Sequence, residues 1–212
     1  SYRYPCPVDD STVVAVKSGL KDINSLVTIV HGKEKRLSYI GSINSRLDYR
    51  NGKIYWTEIV PGLRWTHENY SVLKCYDLKE GRIKSITPRQ RYLSPSVDKN
   101  GKVAAVSRTT VDGKNQLVLV ELEDGKELFA FQVPDNAFIK ELTFTDQDEV
   151  VAVAVTDAGI SLLQFTPSSG QWEELLSTAS VNITSPVWKD GRIYFESGAN
   201  GTNNLYCLDP ED

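Results

Sequence analysis

The sequence predicts an all-β protein of the β-propeller class, with about five four-stranded blades, the last of them incomplete. Helical periodicity is nearly absent, and short runs of β-branched and aromatic residues alternate with pairs of Gly, Asn and Asp. This pattern is typical of many short strands joined by tight turns. Comparable turns return every 44 to 49 residues, and a period of about 40–50 residues with four strands indicates a propeller blade.

One recurring turn opens a strongly apolar strand in each repeat. Asn51-Gly52 precedes KIYW, Asn100-Gly101 precedes KVAAV, and Asp190-Gly191 precedes RIYF. Asp9-Asp10-Ser11 and Asp146-Gln147-Asp148 take the same place in the two other repeats. Such pairs suit hairpin turns whose central residues need positive φ, which Gly, Asn and Asp adopt at little cost.

Two further markers recur at a fixed phase. A second turn lies one hairpin later, at His31-Gly32, Glu80-Gly81, Asp124-Gly125 and Ser169-Gly170. An X-Pro step accompanies the first strand, at Tyr4-Pro5, Ser94-Pro95 and Ser185-Pro186. Because proline lacks an amide donor it belongs on an edge strand, such as the innermost strand of a blade. The markers predict one whole or partial propeller domain over residues 1–212, with blades at about 2–40, 43–88, 92–133, 138–178 and 183–212.

The second and third strands of the repeats are apolar almost throughout, as in VVAVAV and LVLVEL. A sheet covered on both faces has this composition, and stacked propeller blades bury their middle strands in that way. A β-sandwich, the alternative fold, has similarly spaced strands, but it does not predict turns at a fixed phase. We assign Trp56, Trp172 and Trp188 to packing between blades. We expect the three cysteines, Cys6, Cys75 and Cys207, to be buried in strands.

Two repeats carry a pattern that resembles a known family. The third reads LSPSVDKNGKVAAVS and then DGKNQLVLVELEDGKEL, and the fifth reads TSPVWKDGRIYFES and then GTNNLYCLD. This pattern is similar to the WD40-like (PD40-type) repeat of TolB-like β-propellers. The resemblance implies a bacterial protein of the periplasm or cell envelope that binds a protein partner. Related blades serve as accessory domains of serine peptidases and of some polysaccharide-degrading enzymes.

The two ends of the sequence predict a piece of a larger protein. The first residues, SYRYPCPVDD, have no initiator Met and no signal-peptide pattern, and the fifth repeat stops after three strands. Since an unpaired strand edge invites aggregation, we expect further blades beyond residue 212. The alternative is a five-bladed propeller that closes imperfectly.

Composition excludes two classes of function. A net charge of −4 and a pI near 5.3 argue against general nucleic-acid binding, which usually needs a basic surface. The longest apolar runs span only a few residues, as at Val150–Val155, whereas a membrane-spanning helix needs about 20. We therefore expect no nucleic-acid partner and no membrane-spanning segment.

No catalytic or metal-binding constellation is visible. His31 occupies a turn, and neither a GxSxG motif nor a defensible Ser-His-Asp order is present. The carboxylates of Asp9-Asp10 and Asp146-Gln147-Asp148 fit tight turns, where a calcium ion is the less favoured alternative. No phosphate-binding glycine-rich loop occurs. We expect this chain to have no enzyme activity, no metal and no cofactor.

The longest predicted connection between a second and a third strand, Thr57 to Tyr70, marks a candidate binding face. In a propeller such connections open on the same face as the links between blades. Trp and Arg are favoured binding anchors because they combine a large contact area with a polar group. The predicted binding residues are Glu58, Arg64, Trp65, His67 and Tyr70 in this loop, and Arg89, Arg91, Arg108 and Asn200 elsewhere on the face. The alternative is that Trp65 folds back and caps its own blade.

Three functional hypotheses follow from the sequence. The first is a non-catalytic propeller module that binds a protein or peptide partner. The second is an accessory propeller of a larger peptidase or polysaccharide-degrading enzyme, which gates or holds its substrate. The third is carbohydrate binding through surface Trp and Tyr side chains. The sequence on either side of this chain would separate the first two, since a hydrolase motif there would favour the enzyme.

Overall fold

The computed structural model describes residues 1–20, 22–43, 45–61, 69–178, 180–198 and 201–210. In this part of the chain twenty β-strands form five antiparallel sheets, and the one helical segment is a 3₁₀ turn at Pro134–Asn136. Among the described residues, no helix is long and apolar enough to cross a membrane. The chain divides into two compact units, the first comprising Ser1–Pro95 with Leu122–Lys126 and the second Ser96–Glu121 with Glu127–Asp212.

The first compact unit contains two complete sheets. Sheet 1 follows the strand order β1 (Tyr2–Pro7), β2 (Thr12–Gly19), β3 (Asp22–Val30) and β4 (Lys33–Tyr39). Sheet 2 has the strands β5 (Ser42–Ile43), β6 (Asp48–Arg50), β7 (Lys53–Pro61), β8 (Asn69–Asp77) and β9 (Arg82–Ser85). Its order is β5-β7-β8-β9, and β6 also pairs with β7.

The three other sheets repeat the same simple order. Sheet 3 has β10 (Tyr92–Val97), β11 (Val103–Thr109), β12 (Asn115–Glu121) and β13 (Glu127–Gln132). Sheet 4 has β14 (Phe138–Phe144), β15 (Val150–Thr156), β16 (Gly159–Thr166) and β17 (Gln171–Thr178). Sheet 5 has three strands, β18 (Ile183–Lys189), β19 (Arg192–Ser197) and β20 (Asn204–Leu208). Each sheet is a meander, which is the strand order predicted for propeller blades.

Three of the recurring turns have the two consecutive positive φ angles that their residues predict. In the turns at Glu80-Gly81, Asn100-Gly101, Asp124-Gly125 and Ser169-Gly170 only the glycine has a positive φ. His31 and Gly32, which join β3 to β4, have φ angles of 47° and 76°. Asp190 and Gly191, which join β18 to β19, have φ angles of 52° and 77°. Two consecutive positive φ angles define the hairpin turn whose twist matches that of the flanking strands.

The X-Pro steps produce an irregularity in the first strand of the sheets that contain them. Tyr4, Ser94 and Ser185, each directly before a proline, have positive φ angles of 53°, 49° and 58°. In sheets 1 and 5 the pairing register skips the X-Pro residues, as in a β-bulge. Sheet 2 has no X-Pro step, and its first strand is split into β5 and β6. Both segments pair with β7, so the sheet keeps the predicted width of four strands, with its first strand in two pieces.

The sheets of each compact unit pack through their apolar faces. In the first unit, Val14 and Leu26 of sheet 1 share a buried cluster with Ile54 and Trp56 of sheet 2. In the second unit, sheets 3 and 4 share one cluster, and sheets 4 and 5 share another. The predicted packing role of the tryptophans is confirmed, since Trp56 is fully buried and Trp172 and Trp188 pack partly buried against these clusters.

The cysteines follow the prediction at two of three positions. Cys6 and Cys75 are buried free thiols, whereas Cys207 on β20 is exposed. The prediction is wrong for Cys207 because sheet 5 has three strands, and β20 is its outer edge in the described structure. A residue of a middle strand would be covered on both sides.

Candidate functional site

The connection predicted at residues 57–70 is shorter than expected, because strand pairing extends into it from both sides. Strands β7 and β8 stay in register over nine pairs, from Lys53 opposite Asp77 to Pro61 opposite Asn69. Glu58 and Tyr70 are therefore strand residues, which corrects their assignment to a loop. Arg64, Trp65, His67 and Asn200 lie outside the described residues, and their assignment to a binding face stays a prediction.

Glu58 is committed to contacts inside the first compact unit. Its carboxylate forms an ion pair with Lys74, with 2.5 Å between Oε1 and Nζ. The other oxygen, Oε2, accepts hydrogen bonds from the backbone amide of Gly41 at 3.0 Å and from the indole of Trp56 at 3.4 Å. Glu58 is 8% exposed, and a buried carboxylate with this many donors has few lone pairs left for a ligand.

The glycine at position 41 makes this arrangement possible. A Cβ atom at Gly41 would lie 2.8 Å from both Cδ and Oε1 of Glu58, closer than van der Waals contact allows. The carboxylate can therefore approach the backbone of the link between sheets 1 and 2 because the side chain there is a hydrogen. We conclude that Glu58 ties β7 to that link and does not form part of an exposed binding surface.

Three of the predicted residues do come together, where the link from sheet 2 to sheet 3 runs along the start of β8. Ser71 and Gln90 form an isolated antiparallel bridge, with reciprocal backbone hydrogen bonds of 2.6 and 2.8 Å. In this register Tyr70 lies opposite Arg91, and Arg89, two residues earlier in the link and on the same face, lies opposite Val72. Residues opposite each other on neighbouring strands are within reach of side-chain contact.

The backbone that carries the two arginines is held firmly. The hydroxyl of Ser71 donates a hydrogen bond of 2.5 Å to the carbonyl oxygen of Tyr92. The hydroxyl of Thr87 accepts one of 3.0 Å from the amide of Leu73. These bonds hold the link on both sides of Arg89 and Arg91, so that a partner would not have to order the backbone when it binds.

Arg89 and Arg91 are both exposed, and neither has an ion-pair partner among the residues described. The first compact unit as a whole carries 17 Lys and Arg against 11 Asp and Glu. An excess of positive charge raises the local concentration of anionic groups and speeds their association. We call Tyr70, Arg89 and Arg91 the arginine surface.

Arg108 has a different environment. It lies in the second compact unit, on β11, where its guanidinium forms two hydrogen bonds with Glu127, at 2.6 and 3.1 Å. It also forms two with the side-chain oxygen of Gln116, at 3.0 and 2.7 Å. The Arg108 side chain is 18% exposed, and four of its five N–H donors have these partners. This bidentate pairing crosses sheet 3 and indicates a structural role for Arg108.

The residues that hold the arginine surface were not predicted from the sequence. They are Ser71, Thr87 and Gln90, ordinary polar residues of a strand and a link, and their positions in the sequence do not indicate that the strand and the link pair. The one available signal was the position of Arg89 and Arg91 directly before the X-Pro strand of the third repeat, which places them in a link between blades.

Comparison with solved structures identifies the fold. TolB from Acinetobacter baumannii matches with a TM-score of 0.66 and 11% sequence identity, over 93% of this chain and 51% of that chain. The β-propeller domain of the trilobed protease from Pyrococcus furiosus matches with a TM-score of 0.62 and 13% identity, over 100% of this chain and 68% of that chain. The acylaminoacyl peptidase of Pyrococcus horikoshii matches with a TM-score of 0.62 and 13% identity, over 98% and 38%.

These likenesses confirm the predicted fold class, a β-propeller of the kind found in TolB and in peptidases. No protein-family profile and no curated protein sequence matches the chain. The chain spans about half the length of the TolB structure and 38% of the Pyrococcus horikoshii peptidase.

Proposed function

We propose that this chain is a non-catalytic β-propeller module of the bacterial cell envelope, which binds a protein or peptide partner through the arginine surface. The observation that carries the proposal is the pair Arg89 and Arg91, exposed on a link whose backbone is held by hydrogen bonds to β8. Planar guanidinium groups bind carboxylates with two parallel hydrogen bonds. The partner we expect is a segment rich in Asp and Glu.

The neighbouring tyrosine supports the same role. Tyr70 is partly buried, and a tyrosine provides a large contact area at a low cost in conformational entropy. An aromatic ring beside two arginines is a common composition for the centre of a binding surface. The location in the envelope rests on the resemblance of the repeats to TolB-like propellers.

A second candidate function is an accessory propeller domain of a larger peptidase. The comparisons favour it, because 100% of this chain matches 35% of a prolyl endopeptidase, with a TM-score of 0.65 and 13% identity. In this case the arginine surface would hold the acidic part of a peptide substrate. The complete reading frame separates the two candidates, and peptidase activity of the full-length protein would support the second.

The binding function can be tested with selected peptides. A library of random peptides displayed on phage is panned against the immobilised chain, and the enriched peptides are synthesised and titrated by calorimetry. We expect enrichment of Asp and Glu, and an affinity at least about tenfold lower for the double variant Arg89→Ala, Arg91→Ala, since each lost charge-assisted bond is worth about 1.5–3 kcal/mol.

A matched control is available on the neighbouring strand. The double variant Arg82→Ala, Lys84→Ala removes the same net charge from β9, where both side chains are exposed. We expect it to change the affinity less than about twofold, because screened charges away from the contact contribute little. Equal loss in both double variants would show that binding depends on net charge and would contradict the proposal.

A further inference from the structure

The second compact unit contains a cavity of about 440 Å³ that none of the predicted binding residues lines. This volume is within the range of small-ligand sites. The walls come from β15, β16 and β17 of sheet 4, and Asp135 in the 3₁₀ turn Pro134–Asn136 forms part of the rim. The cavity is therefore built by one sheet and the link that leads into it.

The lining combines an aromatic ring with two carboxylates. Trp172 and Glu174 lie on the same face of β17, opposite Phe165 and Leu163 of β16, and both line the cavity together with Asp135. Of the fifteen described residues that line it, none is Lys, Arg or His. A site with two carboxylates, no basic group and an indole favours a cation, because the carboxylates attract the positive charge and the face of the ring also attracts a cation.

The aromatic wall has a fixed orientation. Trp172 is partly buried and packs on Phe165, with 4.6 Å between the ring centroids, and Phe165 packs on Phe131 at the same distance. One face of the indole is thus supported by a row of rings that belongs to the core of sheets 3 and 4. A ring held in this way loses little conformational freedom when a ligand stacks on it.

The acidic rim is also held in place. Asn136 forms three hydrogen bonds with the β11–β12 hairpin, two with Asn115 at 2.7 Å each and one with the carbonyl oxygen of Gly113 at 3.0 Å. These bonds fix the 3₁₀ turn and with it the neighbouring Asp135, whose φ is 52°. On the opposite wall the hydroxyl of Ser161 donates to Oε2 of Glu174 at 2.9 Å, which leaves Oε1 of the same carboxylate for a ligand.

The charge of the surrounding unit adds to the effect of the lining. The second compact unit carries 17 Asp and Glu against 7 Lys and Arg, the opposite sign to the first unit. Such an excess attracts cationic groups over a distance of about one Debye length, roughly 8–10 Å at physiological salt. The residues that line the cavity and the net negative charge of the unit therefore both favour a cationic ligand.

From these observations we propose that the cavity binds an arginine side chain of a basic peptide segment. Arginine fits better than lysine, because its planar guanidinium can stack on the indole of Trp172 and at the same time bind a carboxylate with two hydrogen bonds. This second site is independent of the arginine surface. The two sites lie in different compact units and select peptides of opposite charge.

The test uses three short peptides that differ at one position. Acetyl-Ala-Arg-Ala-amide is titrated into the ¹⁵N-labelled chain, and so are its lysine and citrulline analogues. The signal followed is the indole N–H of Trp172, which is identified by its absence from the spectrum of Trp172→Phe. We expect the arginine peptide to shift this signal, the lysine peptide to bind about threefold or more weakly, and the uncharged citrulline peptide to bind at least about tenfold more weakly.

Two variants that each remove one negative charge test whether the peptide binds in the cavity. Glu174→Gln removes a carboxylate charge from the cavity, whereas Glu196→Gln removes one from the exposed face of β19 in the same compact unit. We expect the first variant to weaken the arginine peptide by about fivefold or more and the second by less than about twofold. Equal effects, equal binding of the citrulline peptide, or binding that leaves the Trp172 signal unmoved would each overturn the proposal.

The same samples separate this proposal from the proposed function. Glu174→Gln should leave the binding of acidic peptides at the arginine surface unchanged, and the double variant Arg89→Ala, Arg91→Ala should leave the binding of the arginine peptide unchanged. Loss of one activity without the other identifies which proposal has failed. Thermal unfolding of Glu174→Gln should match that of the unmodified chain, because Glu174 is exposed, a glutamine oxygen can still accept the hydrogen bond from Ser161, and such substitutions usually change stability by less than about 0.5 kcal/mol.

Discussion

The turn at Gly125 offers a sharp test of how the segment Leu122–Lys126 packs within the first compact unit. Gly125 has a φ of +74°, and a Cβ atom built on it would lie 2.0 Å from the carbonyl oxygen of Ile86 and 2.8 Å from its carbon. Gly32 occupies the equivalent turn of the first repeat with a φ of +76°, and nothing lies within 4 Å of its Cβ position. The substitutions Gly125→Ala and Gly32→Ala therefore impose the same backbone strain, but only the first creates a clash.

The difference between the two variants can be estimated from these distances. An alanine in the left-handed region costs about 1–2 kcal/mol, and this cost is common to both. The contact of 2.0 Å must open by more than about 1 Å, and overpacking of this kind costs about 1–3 kcal/mol. We expect Gly125→Ala to lower the free energy of unfolding by about 2–5 kcal/mol in total, against about 1–2 kcal/mol for Gly32→Ala.

Urea unfolding followed by circular dichroism and by tryptophan fluorescence measures both variants. The midpoint of the transition should fall further for Gly125→Ala, with an unchanged slope. If the two variants lose the same amount of stability, then the link at Ile86 does not pack against the β12–β13 turn as described, and the reasoning from the Cβ distance is refuted.

Three further predictions concern the buried ion pair, the thiols and the tip of the second repeat. Glu58→Ala leaves Lys74 and two neutral donors without their acceptor and should lower the free energy of unfolding by about 2–4 kcal/mol. A double-mutant cycle with Lys74→Met should give a coupling energy of about 1–2 kcal/mol between the two side chains. The absence of measurable coupling would contradict the ion pair. Burial raises the pKa of the Cys6 thiol from about 9 to about 12 and also raises that of Cys75, so a thiol reagent should modify only the exposed Cys207 quickly in the native state. Since the folded state holds the thiol protons more tightly than the unfolded state, their contribution to stability is complete below about pH 9 and declines as the pH rises towards 12. Cys6→Ala should therefore reduce the loss of stability at alkaline pH. An equal loss with and without Cys6 would refute this prediction. Finally, the sequence predicts that Arg64→Ala with Trp65→Ala abolishes partner binding at unchanged melting temperature, whereas equal loss of binding and stability would assign Trp65 a capping role.

Much of the fold could be predicted because its determinants are local in the sequence. The third repeat was expected to have strands at about residues 93–97, 102–107, 116–122 and 127–132, and the strands found there are β10 to β13, shifted by no more than two residues. The turns at His31-Gly32 and Asp190-Gly191 could be identified because few residue types tolerate two consecutive positive φ angles. Proline and its preceding residue mark the first strand for a similarly local reason.

The candidate site was less predictable, because it depends on contacts between residues far apart in the chain. Glu58 was assigned to a binding loop on composition, but pairing with β8 places it in a strand, where Lys74 and Gly41 surround it. Arg108 was expected on the binding face and is instead paired with Glu127 across sheet 3. Arg89 and Arg91 were expected at a link between blades, and their exposure agrees with that expectation.

The sequence by itself determined the number of repeats, the positions of their turns and the burial of their middle strands, because each of these follows from the preferences of neighbouring residues. Only the tertiary structure decided which charged side chains are paired within the protein, as Glu58 and Arg108 are, and which remain exposed. It also decided where Trp172, Glu174 and Asp135 meet around one cavity. Charges interact according to their distance in space, and folding sets that distance between residues whose separation along the chain carries no information about it.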